Sequence, residues 1–372
     1  MTKSVYISAT NCITPLGWDA TENAANILAG KSGIARHENN MMPQPYYAGI
    51  VDDVRMNQLP ELGLADKYTK LEKMLILALT PIIAQHKPSG KSLLLLSTTK
   101  GNIDALAVSS IEQAQLAKLA QTVADFFGFT TQPVVVSNAC VSGILAVAIA
   151  KRMIQADVCD DAFVVAGDLV TEFVLSGFNS FQAMSDAPCK PYSAHRTGVT
   201  LGEATAAVYV TSDPNGAKVR VSGDGAINDA NHISGPSRTG EGLFLSIQAA
   251  LKEAQIGADQ IDYISAHGTA TPFNDEMEAI AFNRAGLQDV PVNSLKGYYG
   301  HTLGASGLLE LVIAIESMHR NTLFASLGFD ELGVSQPINV IEANQDCSIN
   351  KMLKTASGFG GCNTAVIIEK VS

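Results

Sequence analysis

The six residues from Leu145 to Ala150 carry no polar side chain. A helix over them has no face to turn to water, so it must lie inside the fold. A β-branched run, Pro133 to Val136, precedes it, and Ser137 to Gly143 lies between the two. The order reads as strand, tight turn, buried helix, with Cys140 at the turn. A thiol at a helix start feels the positive end of the dipole, which favours the nucleophilic thiolate. The unpaired N–H groups of the same helix start suit an oxyanion. Two readings of Cys140 stand at this point: a rigidly held nucleophile, or one more buried structural cysteine.

Composition narrows the class. Of 372 residues, 47% are apolar and 16% charged, which excludes a disordered or coiled-coil chain. The length calls for more than one core, or one large duplicated core. The net charge of −11 argues against nucleic acid or an anionic membrane as partner, so an acidic partner needs a local basic patch. The six cysteines, Cys12, Cys140, Cys159, Cys189, Cys347 and Cys362, form no CxxC pair and no zinc spacing. No metal is expected, and a reducing cytoplasm is the expected compartment. Met1 to Ile7 lacks a signal-peptide core, and no apolar run has the length of a membrane span.

Along the chain, strands are predicted over 5–9, 92–97, 161–167, 205–211, 219–222, 261–265 and 365–369. Helices are predicted over 19–29, 65–83, 109–127, 243–254, 275–285 and 308–318. Asp213-Pro214-Asn215-Gly216 is the strongest turn signal. It divides the chain into an N-terminal half, residues 1–212, and a C-terminal half, residues 213–372, in which a similar order of buried strands and helices recurs. An α/β duplication follows. In the helix over 65–83, Lys67, Lys70 and Lys73 recur at i, i+3 and i+6, an expected exposed stripe and a candidate dock for an acidic partner.

Two further stretches carry chemistry. His267 follows a buried strand within Ser265-Ala266-His267-Gly268-Thr269-Ala270-Thr271-Pro272, with Asp275 and Glu278 beyond. The C-terminal end of such a strand is where open α/β sheets place their sites. His301 lies in the Gly-rich stretch Asn293 to Gly307, which runs into a helix with Glu310; Lys296 and Glu310 are candidates for an internal ion pair. A cysteine nucleophile with imidazoles nearby points to acyl transfer, without saying which.

Taken together, these residues resemble the β-ketoacyl-acyl-carrier-protein synthases, the Cys-His-His condensing enzymes of thiolase fold. The resemblance rests on Ala139-Cys140, His267 to Pro272, Lys296 with Gly300-His301-Thr302-Leu303-Gly304-Ala305, Gly177-Phe178 through Met184-Ser185, Arg196 with Gly202-Glu203, Asn228-Asp229-Ala230 with His232, and Gly358-Phe359-Gly360-Gly361-Cys362-Asn363. These fall in the family's order over nearly the whole chain.

The resemblance implies a duplicated, five-layered α-β-α-β-α sandwich, usually a homodimer. It also implies decarboxylative condensation of an acyl thioester with malonyl-carrier protein in fatty-acid, polyketide or aryl-polyene synthesis. Cys140 would carry the acyl group, and His267 and His301 would donate to the thioester oxygen. Lys296 and Glu310 would order the histidines. The N–H groups of Cys140 and Phe359 would form the oxyanion hole, with Phe359 also as gate. Lys67, Lys70 and Lys73, with Lys190, would receive the acyl carrier protein. No cofactor beyond the phosphopantetheine on that carrier protein is implied. The chain departs from the family in its short stretches 34–60 and 101–133, in Ser193 to Gly198 where an acidic Asp-x-x-Arg-Asp-Gly is usual, and in Cys362. Two alternatives share the fold. One is a chain-length-factor-like partner in a heterodimer, which typically lacks the nucleophile. The other is a thiolase-type acyltransferase, which needs a second catalytic cysteine.

Overall fold

Short runs rich in valine, isoleucine and alanine form the strands. In the computed structural model, which describes residues 3–53, 56, 67–108, 110–230 and 235–371, eleven of them join one mixed sheet. These are β1 (Tyr6–Ile13), β2 (Ser92–Ser97), β3 (Val134–Val136), β4 (Asp161–Asp168), β5 (Ala204–Thr211), β6 (Val219–Asn228), β7 (Tyr263–Ser265), β8 (Pro291–Asn293), β9 (Asn339–Val340), β10 (Lys351–Gly358) and β11 (Cys362–Lys370). Their order is β9-β8-β7-β10-β11-β6-β1-β5-β4-β2-β3.

The sheet contains one plan twice. In β1 to β5, the second strand lies parallel to the third and fourth, and the fifth lies antiparallel between the fourth and the first. The strands β6, β7, β8, β10 and β11 repeat that arrangement in the same chain order. The two first strands join the copies, with Tyr6 opposite Arg220 and Ile7 opposite Val219.

Helices complete the layers: α1 (Ala20–Leu28), α2 (Lys70–Gln85), α3 (Leu116–Phe127), α4 (Ser142–Gln155), α5 (Glu172–Ser180), α6 (Glu241–Ala254), α7 (Pro272–Arg284) and α8 (Ser306–Arg320). Helices α4 and α8 pack on each other between the two halves of the sheet, α2 and α3 cover the outer face of one half, and α6 and α7 that of the other. The result is a five-layered α-β-α-β-α sandwich. Strand β4 shows how the sequence specifies it: Ala162, Val164 and Ala166 enter the central core, while the alternate Phe163 and Val165 enter the outer one. Strand β11 does the same with Val366 and Ile368 against Ala365 and Ile367.

The central helices approach closely at their N-termini, where each has glycine as its second residue. A Cβ on Gly143 would lie 2.8 Å from the Gly304 carbonyl oxygen, and one on Gly307 would lie 2.9 Å from Ile144 Cβ. Only glycine permits that crossing, which brings the Cys140 turn onto the His301 loop.

Three expectations change. Helix α2 begins at Lys70, not residue 65, because Thr69 caps it: Glu72 N–H donates to Thr69 Oγ1 (3.2 Å) and Thr69 N–H to Glu72 Oε2 (2.8 Å). Residues 65 and 66 of the expected helix lie outside the described residues, as does His232. The helix expected over 109–127 is α3, preceded by the short turns Ala105–Val108 and Ile111–Ala114. Strand β10, which the sequence leaves unassigned, lies in the interior of the sheet. No helix among the described residues is long and apolar enough to cross a membrane.

Candidate active site

Cys140 sits on a sharp elbow between β3 and α4. Ala139 takes a left-handed conformation (φ 45°), which turns the chain within a few residues. Ser142 locks the turn: its hydroxyl donates to the Ala139 carbonyl (2.6 Å) and accepts from Asn138 N–H (2.7 Å). The side of the turn that faces the second half is packed against Gly358, where a Cβ would be 3.0 Å from Cys140 N.

His267 stands two residues beyond β7. Glu278, from α7, accepts the N–H groups of His267 (2.8 Å) and Gly268 (2.7 Å), which fixes the backbone under the ring. His301 stands before α8, and its ring meets that of His267 edge-on, with centroids 5.1 Å apart. The Cys140 sulfur and a nitrogen of each imidazole lie within 4.8 Å of one another, and all three side chains are buried. One half of the molecule thus supplies the sulfur and the other both imidazoles.

The hydrogen bonds assign the tautomers. Leu303 N–H donates to His301 Nδ1 (3.0 Å), so Nδ1 holds a lone pair and the proton is on Nε2. The ammonium of Lys296 has only donors, and it faces His267 Nδ1 at 3.3 Å, so His267 also carries its proton on Nε2. Burial drives both imidazoles well below the ordinary histidine range, and the Lys296 charge adds to it. Both rings are therefore neutral N–H donors.

The expected ion pair is present and larger than expected. Lys296 Nζ meets Glu310 Oε1 at 2.6 Å, and Lys354, from β10, meets Glu310 Oε2 at 2.7 Å; all three side chains are fully buried. Lys354 was not singled out from the sequence, since a lysine in an apolar run reads as exposed and its partner is far along the chain. Ser306 Oγ, 2.9 Å from His301 Nδ1, was also missed.

The thiol differs from expectation. Burial pushes Cys140 from 9.0 up to about 12, against a smaller opposing pull from Lys296. That rise corresponds to roughly 4 kcal/mol, whereas a helix start returns at most about 2 kcal/mol. Desolvation wins, and the resting group is a thiol.

Phe359 lies on the β10–β11 loop and is 40% exposed. Gly360 and Gly361 follow it with φ of 85° and 75°. Its ring packs against Phe178 (5.9 Å) and Phe181 (5.6 Å), and Phe178 in turn faces His301 (6.4 Å). Cys362 Sγ donates to the Phe359 carbonyl at 3.0 Å, a bond within this loop.

The lysine stripe does not form. Lys67 is exposed in a turn beside Tyr68, but Lys70 folds inward to Glu203 (2.8 Å) and Asp53 (3.0 Å), and Lys73 is half-buried. Lys70 answers the buried Glu203 carboxylate, whose neutralisation outweighs hydration of the ammonium. Lys190 pairs with Asp330 at 3.1 Å.

Residues 84–215 match the family model for the beta-ketoacyl synthase N-terminal domain, and residues 219–330 match that for the C-terminal domain. The chain belongs to the β-ketoacyl synthase family. It is 26% identical to a 3-oxoacyl-[acyl-carrier-protein] synthase 2 of Vibrio cholerae, over 99% of each protein. It is 33% identical to a 3-oxoacyl-[acyl-carrier-protein] synthase 2 of Rhizobium meliloti, over 63% of this chain and 60% of that one. In fold it is similar to a ketosynthase in complex with its chain length factor from Xenorhabdus doucetiae, with TM-score 0.86, 24% identity, and coverage of 99% of this chain and 98% of that one. The expected thiolase-like architecture is therefore present.

Proposed function

We propose that this chain is a β-ketoacyl-acyl-carrier-protein synthase that condenses a Cys140-bound acyl group with malonyl-carrier protein. The observation that carries it is the Cys140 sulfur and a nitrogen of each of two neutral imidazoles within 4.8 Å of one another, with both Nδ1 atoms held by donors so that Nε2 bears the proton.

Cys140 attacks the acyl thioester, and the proton it sheds ends on the departing pantetheine sulfur. Malonyl-carrier protein then loses carbon dioxide. The electrons of the broken C–C bond pass to the thioester oxygen as an enolate, where the His267 and His301 N–H groups stabilise it. The enolate carbon attacks the acyl-Cys140 carbonyl. The N–H groups of Cys140 and Phe359 hold the resulting oxyanion, which collapses to the β-ketoacyl product and releases the Cys140 sulfur. Phe359 gates the approach between the two substrates.

The reading needs no cofactor on the chain itself, only the phosphopantetheine of its carrier protein, and it places the enzyme in the cytoplasm. Lys67 and Lys73 are the remaining candidates for carrier-protein contact; Lys70 is occupied. The active form is a dimer, either of this chain or with a second synthase-like subunit. Retention of the thiol and both imidazoles favours the catalytic role over a chain-length-factor-like one. Cys362, tied to its own loop, gives little support to a thiolase-type reaction.

Incubation with acyl-carrier protein and then malonyl-carrier protein tests this by mass spectrometry. Acylation of the enzyme, cleared by malonyl addition with a product two carbons longer, is the expected result. A chain that is never acylated, over short and long acyl groups, contradicts it.

A further inference from the structure

Lys296 and Lys354 approach one carboxylate from two sides. Lys296 has three N–H donors and three acceptors around it: Glu310 Oε1 (2.6 Å), the His267 carbonyl and His267 Nδ1 (3.3 Å). Lys354 donates to Glu310 Oε2 (2.7 Å), to the Thr355 carbonyl (2.7 Å), and to the Ser265 and Ala266 carbonyls (3.1 and 3.4 Å) that lead into His267. Each Glu310 oxygen thus has one lysine. All of these groups are buried, so a carboxylate oxygen that lost its partner could not turn to water instead.

We propose that Lys354 is a positioning residue for His267: by occupying Glu310 Oε2 it leaves Lys296 free to hold His267 Nδ1, and so keeps the reactive Nε2–H tautomer. Without Lys354, the orphaned Oε2 draws Lys296 into contact with both oxygens of Glu310. His267 Nδ1 then loses its donor, and the ring is released to the Nδ1–H form, which presents a lone pair where the enolate oxygen needs a proton donor. The inference extends the condensing reading of the site, but its geometry does not depend on it.

The test is ¹⁵N NMR of the imidazoles in the histidine-labelled full chain, with His267 assigned among the seven histidines by His267→Asn. The wild type shows His267 as the neutral Nε2–H tautomer, and Lys354→Met shifts it toward Nδ1–H. In Lys354→Met/Glu310→Gln the second carboxylate oxygen is gone along with its lysine, so nothing draws Lys296 from Nδ1, and the Nε2–H signal is restored. In the same samples, Lys354→Met lowers malonyl decarboxylation about tenfold further than acylation of Cys140. An unchanged tautomer in Lys354→Met overturns the proposal, and so does a shift or a folding failure common to the single and double variants. A wild type that shows the tautomers but no condensation overturns the proposed function and leaves the positioning role standing.

Discussion

The two halves share one topology and divide the chemistry. In each, a loop between the third strand and a central helix reaches the site. In the first half that loop is a five-residue elbow, residues 137–141, which presents Cys140. In the second it is twelve residues long, 294–305, and holds the short helix Lys296–Tyr299 and then His301. Two residues beyond the second strand stands Thr99 in one half and His267 in the other. Asp168 ties Thr99 down, accepting from its N–H (3.0 Å) and also from Gly304 N–H (2.8 Å). Behind His267 lie Glu278, Lys296, Glu310 and Lys354 instead. One copy of the fold is thus built to hold a sulfur rigidly, and the other to hold two proton donors and their charges.

Several changes would break or sharpen this contrast. The largest effect is expected for Cys140→Ala, which removes the nucleophile that the first half supplies and should lower condensation at least about 10³-fold, measured as β-ketoacyl product. Next, His301→Ala should lower it by about 10²–10³, the cost of one oxyanion donor.

A third change attacks the joint between the halves. A side chain at Gly307 would press on Ile144, and Gly307→Val is expected to cost about 1–3 kcal/mol, seen as a Tm several degrees lower.

The site groups of the two halves also limit stability at opposite ends of the pH scale. The histidines are held below their ordinary 6.5, so below that pH the unfolded chain binds more protons, and their contribution is lost as the pH falls. Cys140 is raised from 9.0 to about 12, so the folded thiol keeps a proton that the unfolded chain releases, and its contribution is lost between those values as pH rises. Denaturant titrations should show His301→Asn flattening the acid limb relative to wild type, and Cys140→Ala flattening only the alkaline one.

The smallest effect concerns docking. Lys67→Glu should weaken carrier-protein binding only a few-fold by calorimetry, as for an exposed rim charge. Lys70→Met should leave affinity unchanged and lower stability, because Glu203 keeps a buried charge without its partner.

What was legible in the sequence follows the range of the forces involved. Cys140, His267 and His301 each lie in a local pattern of strand, tight turn and helix, so neighbouring residues announce them. The Lys296–Glu310 pair was legible because both belong to one stretch leading into α8. Lys354 was not, since its partner Glu310 is 44 residues away and nothing local marks the lysine as buried. Lys70 failed in the same way: its partner Glu203 is supplied by another part of the chain, and helical spacing alone placed it on an exposed stripe. The start of α2 could have been read, because Thr69-x-x-Glu72 is a capping box. The thiol was misjudged because the helix start is a local feature, while the burial that outweighs it comes from the opposite half packed over the elbow.

The most direct test of the division between the halves measures two partial reactions in two variants: acylation from acyl-carrier protein and decarboxylation of malonyl-carrier protein, in Cys140→Ala and His301→Ala. The account predicts complementary losses, with Cys140→Ala unable to be acylated yet still releasing carbon dioxide, and His301→Ala acylated yet slow to release it. Loss of both reactions in either variant, with the fold intact by Tm, would contradict it.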